Sequence, residues 1–219
     1  MSLSGRFFAA TYDRMLAGTE KAGLHARRES LLSRAAGRVL EIGAGTGLNL
    51  PHYGEAVQSL TVTEPEAPMA RRLERRAREQ SRPVDVVQAP AETLPFEDGQ
   101  FDTAVSTLVL CTVGDQARAL AELHRVLKPG GELLFLEHVR SDAPRVARWQ
   151  DRLNGVSQVI GHGCNCNRVT LDAIRAAGFT INELEHDKLP KAPPTHRPLI
   201  VGTATANGGE SVSSSFGSG

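Results

Sequence analysis

Arg38-Val39-Leu40-Glu41-Ile42-Gly43-Ala44-Gly45-Thr46-Gly47-Leu48 decides the fold. Val39, Leu40 and Ile42 form a short apolar run, the mark of a buried strand. Glu41 stands near its end, and three glycines then alternate with other residues, giving E-x-G-x-G-x-G. Glycines at that spacing let a tight turn lay bare backbone against a ligand, with no Cβ between them. The turn is expected to lead into a helical segment whose N-terminus favours polar or anionic groups. Dinucleotide-binding loops use G-x-G-x-x-G. Here the third glycine comes one residue early, and an acid precedes the first glycine by two positions. Both features argue against a nicotinamide-dependent oxidoreductase.

Working outward, Gln58 to Glu64 reads as a second strand ending in an acid. In a doubly wound sheet an acid placed about 20 residues past the glycine loop can accept from ribose hydroxyls. Glu64 meets that spacing, and Pro65 suits the start of a helix running to Ser81. Val84 to Ala89 is the third strand. Phe101 to Leu110, with Cys111-Thr112-Val113 as its extension, is the fourth. Ligands of such sheets bind beyond the carboxyl ends of the strands, so Thr107, Leu108 and Cys111 are expected to face the site. Asp115 caps a helix whose core side is Leu120, Leu123 and Leu127. Leu133 to Leu136 is the fifth strand, ending in Glu137-His138. A helix over 143–160 carries Trp149, and Asn167 is expected to cap another running to Ala177. Phe179–Lys188 and Arg197–Ala206 read as the last two strands.

Upstream, residues 4–18 read as an amphipathic helix with Phe8 and Tyr12 on its apolar side, broken at Gly18. Thr19 to Ala36 reads as a second helix. The chain therefore divides into an N-terminal helical segment, 1–36, a main domain, 37–206, and a Gly/Ser-rich tail, 207–219, expected to be disordered.

The bulk numbers fit one domain of 219 residues with balanced charge and 40% hydrophobic content. No global basic field points to nucleic acid. The arginines at positions 71, 72, 75, 76 and 78 read as the solvated face of a helix. Three cysteines, Cys111, Cys164 and Cys166, suggest reduced thiols and a cytoplasmic setting. C-x-C alone is a poor zinc site, because four ligands at suitable spacing are missing, so no metal is expected. No apolar stretch approaches the length of a membrane span. Met1 to Ala10 lacks the features of a signal peptide. The aromatic N-terminal helix suits at most peripheral contact with a membrane surface.

The glycine loop, the Glu64 position, A-E-x-L-P-F at 91–96 and H-R-V-L-K-P-G-G at 124–131 resemble, in order, the class I S-adenosylmethionine (SAM)-dependent methyltransferases. The resemblance implies an α/β fold: a Rossmann-like sheet of seven strands with helices on both faces. It implies SAM as cofactor, with the loop residues Gly43, Ala44, Gly45 and Gly47 on its methionine part and Glu41 helping to fix it. Glu64 and Pro65 would serve the ribose, Ala91 and Glu92 the adenine ring, and Thr107 and Leu108 the methyl-transfer region. Many family members have an aspartate where this chain has Pro90, which removes a side-chain contact to the adenine. The family's extra N-terminal helices usually lid the substrate; here they either do that or only complete the core.

S-T-L-V-L-C-T-V at 106–113, F-L-E-H-V at 135–139 and the later G-C-N segment resemble the alkyl-thiol methyltransferases of animals. That similarity implies a small, lipophilic acceptor, with a thiol favoured. Phospholipid, quinone or other N- and O-acceptors are the alternative, and a SAM-binding protein without transfer activity is a second. Leu108, Leu110, Cys111, Trp149, Phe8 and Tyr12 are expected to form the acceptor wall. His138 and His162 are the candidate bases, since a histidine changes charge near neutral pH.

Overall fold

The computed structural model describes residues 12–160 and 163–208. Phe8, His162 and most of the tail therefore lie outside the described residues. The core is a seven-stranded sheet in the order β3-β2-β1-β4-β5-β7-β6. Its strands are β1 (Gly37–Ile42), β2 (Val57–Thr63), β3 (Val84–Val87), β4 (Phe101–Thr107), β5 (Leu127–His138), β6 (Phe179–Lys188) and β7 (Pro198–Ala206). β1 to β5 run parallel, and β7 lies antiparallel between β5 and β6. The helices are α1 (His25–Leu32), α2 (Ala67–Arg78), α3 (Gln116–Val126), α4 (Pro144–Ile160) and α5 (Thr170–Ala176).

The central strands are apolar on both faces, as a parallel sheet covered by helices requires. Leu40, Ile42, Leu133 and Phe135 pack with Leu120 and Leu123 of α3 and Ile174 of α5. The alternate residues Val39, Leu134 and Leu136 pack with Leu31 and Leu32 of α1 and Leu73 of α2. Side chains of a strand alternate between faces, so one sequence run feeds two cores. Among the described residues no helix is long and apolar enough to cross a membrane.

Several boundaries differ from the sequence reading. No helix follows the glycine loop: residues 45–49 turn, and only a single 3₁₀ turn, Leu50–His52, precedes β2. Pro51 lacks an N–H, so it cannot donate within a continuing helix. Residues 12–19 are one helix through Gly18, and the break falls at Gly23, whose φ of 134° is non-helical. α1 ends at Leu32, four residues early, and Thr19 makes no cap. α2 begins at Ala67, with Pro68 in its first turn, and ends at Arg78. Asp115 does cap α3, accepting from the Arg118 amide. Asn167 does not cap α5; its amide nitrogen donates to Asp151 instead.

Candidate active site

The carboxyl ends of β1, β2, β4 and β5 surround a cavity of about 430 Å³. Gly43 and Gly45 enter it from the loop after β1, Glu64 and Pro65 from the end of β2, and Ala91 and Glu92 from the segment after β3. Leu108, Val109 and Cys111 follow β4, and His138 closes β5. The helix at 12–19 covers one side with Tyr12, Met15 and Leu16. That helix is tied to the glycine loop and to α2. Asp13 accepts from the Thr46 hydroxyl at 2.6 Å and pairs with Arg76 at 2.6 Å.

The three loop glycines all have positive φ but do different work. A Cβ on Gly43 would meet the Val109 side chain at 2.7 Å, and one on Gly47 would meet Leu50 at 2.9 Å. A Cβ on Gly45 would find only the Tyr12 ring, 4.0 Å away. Gly43 and Gly47 are thus required by packing, whereas Gly45 keeps cavity space clear. Glu64 accepts the Gly45 amide on one oxygen and the Glu66 amide on the other, each at 2.9 Å. Burial pushes the Tyr12 phenol up to about 12, so it stays protonated at neutral pH.

Behind the loop lies a polar cluster in the protein interior. Glu41 is 1% exposed and accepts from Asn49 at 2.8 Å and from the Tyr53 hydroxyl at 2.7 Å. Burial raises its carboxyl above the usual range, against those two hydrogen bonds and nearby Arg28. Arg28, itself buried, donates to Asn49 at 2.7 Å and to Thr107 at 3.1 Å. Arg28, Glu41 and Thr107 line a small cleft that shares Tyr12, Gly43 and Gly45 with the main cavity.

On the other side, β4 ends at Thr107 rather than Leu110, because Leu108 adopts φ of 60° and turns the chain. Positive φ on a leucine is strained and persists only where its surroundings enforce it. Glu137, fully buried, does so: its carboxylate accepts from Ser106 at 2.6 Å and from the Val109 amide at 3.0 Å. The Leu108 amide also donates to Leu136 at 2.8 Å.

The turn beyond brings Cys111 to the loop between α4 and α5. The Asn165 amide donates to the Cys111 carbonyl at 2.7 Å, and Arg168 donates to the Leu110 and Val113 carbonyls. Cys111 and Cys164 Sγ then lie 3.9 and 3.7 Å from His138 Nδ1. A hydrogen bond with Cys111 holds the Cys164 thiol well below its usual range, with His138 helping and burial opposing. The same hydrogen bond and burial push Cys111 well up.

A family model described as a methyltransferase domain matches residues 40–135. Human thiol S-methyltransferase TMT1A is 34% identical over 171 residues, spanning 76% of this chain and 69% of that protein. The chain belongs to the class I SAM-dependent methyltransferases. The phosphatidylethanolamine N-methyltransferase of Cereibacter sphaeroides is 32% identical over 139 residues, covering 62% of this chain and 68% of that one. Among solved structures, a SAM-dependent methyltransferase from Thermotoga maritima, described as a possible histamine N-methyltransferase, superposes with a TM-score of 0.68. It is 25% identical, with 92% of this chain and 97% of that one covered.

In this methyltransferase the expected site residues divide into those at the cavity and those behind it. Gly43, Gly45, Glu64, Pro65, Ala91, Glu92, Leu108, Cys111, His138 and Tyr12 line the cavity. Ala44 and Gly47 do not; Ala44 is in the core, its amide donating to Thr63. Glu41, Thr107 and also Ala44 line the smaller cleft. Leu110, expected in the acceptor wall, is 0% exposed in the core, because the turn at Leu108 reverses which residues face outward. Trp149 is 55% exposed and lies outside the cavity, on the outward side of α4 beside Arg152. Arg28, Glu137, Cys164, Met15 and His196 were not among the expected site residues. The alternation of β5, which buries Glu137 at an otherwise apolar strand end, was the available signal for one of them.

Proposed function

We propose that the methyl acceptor is a small, lipophilic thiol, bound between the 12–19 helix and the Cys111–His138–Cys164 end of the cavity. The observation that carries this is the lining. Leu16, Met15, Leu108, Val109 and Val113 are apolar, and no Lys or Arg is among the described residues that line the cavity. An apolar pocket with a few placed polar groups suits a mostly apolar ligand. A phosphate or carboxylate acceptor would find no Lys or Arg among the described lining residues. The likeness to a protein named thiol S-methyltransferase points the same way.

Bound SAM supplies a methyl group already activated by its sulfonium. What remains for the protein is positioning and desolvation. The bare Gly45 backbone and the Glu64 carboxylate suit the sugar and backbone of that donor. The Glu64 carboxylate lines the cavity, and a carboxylate offers about four lone-pair sites, which suits the donor's ribose hydroxyls. Arg28, in the smaller cleft, suits the carboxylate of the donor's amino-acid end. Ala91 and Glu92 border the space for the adenine. The 12–19 helix acts as a lid, latched by Asp13. The acceptor's lone pair forms the new S–C bond, and the pair of the broken C–S bond stays with the donor sulfur. The acceptor proton leaves through His138, one of two histidines that line that end. A thiol, ionised in part near neutral pH, needs less help than a phenol or ammonium.

The test is initial rate with SAM against matched alkyl thiols, phenols and amines at one pH, with phosphatidylethanolamine vesicles beside them. Thiols should turn over fastest. Faster turnover of the vesicle lipid, in keeping with the bacterial N-methyltransferase likeness, would replace the thiol reading.

A further inference from the structure

Three soft or borderline ligand atoms meet at the acceptor end of the cavity. Cys111 Sγ, His138 Nδ1 and Cys164 Sγ all lie within 4.8 Å of one another. Each comes from a different segment: the turn after β4, the end of β5, and the loop between α4 and α5. That loop is fixed from several sides. Asn165 and Arg168 bind the 110–113 turn, and Gly163, at φ of 98°, passes so close that a Cβ would lie 3.3 Å from the Thr112 carbonyl. The convergence is therefore built into the fold.

Hydrogen bonding of Cys164 with Cys111 and with His138 accounts for it only in part. The neutral imidazole offers one donor and one acceptor nitrogen, yet both thiols crowd the same atom, Nδ1, at 3.7 and 3.9 Å. A shared central atom does account for it. Zinc–sulfur and zinc–nitrogen bonds of about 2.3 and 2.05 Å at a tetrahedral angle put S and N about 3.6 Å apart.

We propose that Cys111, His138 and Cys164 form a three-ligand zinc site whose fourth position opens onto the cavity and takes the acceptor sulfur. Two thiolates and one neutral imidazole balance the charge of the ion, which suits a dry pocket. Three protein ligands with an open fourth position is the arrangement of catalytic rather than structural zinc. The acceptor's S–H bond breaks as its sulfur bonds to the ion, and the proton passes to solvent. The sulfur then forms its bond to the methyl carbon, the donor sulfur keeps the electron pair, and the neutral thioether leaves. The ion thereby takes from His138 the task of ionising the thiol. The acceptor step rests on the thiol reading above; the metal site rests on the cluster alone.

The test separates the two. The full chain is stripped with a chelator and titrated with Co²⁺ in the absence of donor and acceptor, followed by absorption. The expected result is one ion per chain, with tetrahedral bands and thiolate-to-cobalt charge transfer, displaced by Zn²⁺. Cys111→Ser and Cys164→Ser should each weaken binding by about 100-fold or more, beyond what loss of an outer partner does. Cys166→Ser should keep it, since Cys166 Sγ turns away to Ser157. Wild-type protein that binds no Co²⁺ in the fully reduced state, or a single free thiol indicating a Cys111–Cys164 disulfide in protein purified without oxidant, would overturn the site. Undiminished thiol methylation after metal removal would overturn the ion's part in the acceptor step while leaving the thiol reading intact. Normal Co²⁺ binding with all thiols inert would leave the site standing and remove the thiol reading.

Discussion

The Glu64 carboxylate accepts the Gly45 amide hydrogen at 2.9 Å, joining the end of β2 to the middle of the glycine loop. Its other oxygen takes the Glu66 amide at 2.9 Å. One side chain therefore shapes the loop, starts the segment leading into α2, and faces the cavity. Glu64→Ala should weaken SAM binding by about 1.5–3 kcal/mol, the range for hydrogen bonds to a charged group. Calorimetric titration reads this directly. An unchanged affinity would separate Glu64 from the donor.

Gly43 and Gly45 should respond differently to the same substitution. Both have positive φ, 56° and 58°, so alanine at either carries about 1–2 kcal/mol of backbone strain. Gly43→Ala adds overlap with Val109 and should lower Tm further. Gly45→Ala adds no clash with protein and should abolish or sharply weaken donor binding at a smaller loss of stability. Thermal melts with and without SAM distinguish the pair. Equal donor affinity in Gly45→Ala and wild type would show that the loop does not cradle the donor.

Glu41 gives a pH prediction. Burial raises its folded carboxyl above the unfolded value of about 4.3. Between those two values the folded state binds more protons than the unfolded state, so stability falls as pH rises through that window. The contribution is complete below the unfolded value and lost as pH passes the folded one. Glu41→Gln removes this slope. Melts of both proteins from acid to neutral pH should show the wild type losing stability relative to the variant as pH rises. A pH-independent difference would mean that Glu41 titrates as it does in the unfolded chain.

Asp13 links the 12–19 helix to Arg76 and Thr46. The ion pair is about one-third exposed on each side, and such pairs contribute at most about 1 kcal/mol. Asp13→Asn should therefore barely move Tm yet speed SAM dissociation, because the helix covers the cavity. Stopped-flow release of the donor measures it. A release rate equal to wild type would remove the latch.

Strand positions were readable where apolar runs, Val39 to Ile42 and Leu133 to Leu136, end in polar or glycine-rich stretches. The two-sided burial of Leu133 to Leu136 follows from that same run. What the sequence hid is what depends on backbone reversal. Leu108 looks like one more strand residue, and its positive φ sends Leu110 into the core against expectation, while Cys111 lines the cavity as expected. Trp149 carried an amphipathic helix pattern whose outward side could not be told from its inward side. Cys164 and His138 are 26 positions apart, and spacing alone did not join them to Cys111. Arg28 looked like any arginine on a helix, and its burial became visible only with Asn49 and Thr107 around it.

The central claim is that this methyltransferase moves the SAM methyl group to a thiol sulfur in the cavity beside Gly45 and Glu64. The most direct measurement uses methyl-labelled SAM with a short alkyl thiol as sole acceptor, wild type beside Glu64→Ala, at donor concentrations below saturation. The predicted result is labelled thioether from the wild type and a rate lower by about tenfold or more in the variant, matching the loss of donor affinity. Absence of labelled thioether with every thiol tried, while a phenol, amine or phospholipid takes up the label, would contradict it.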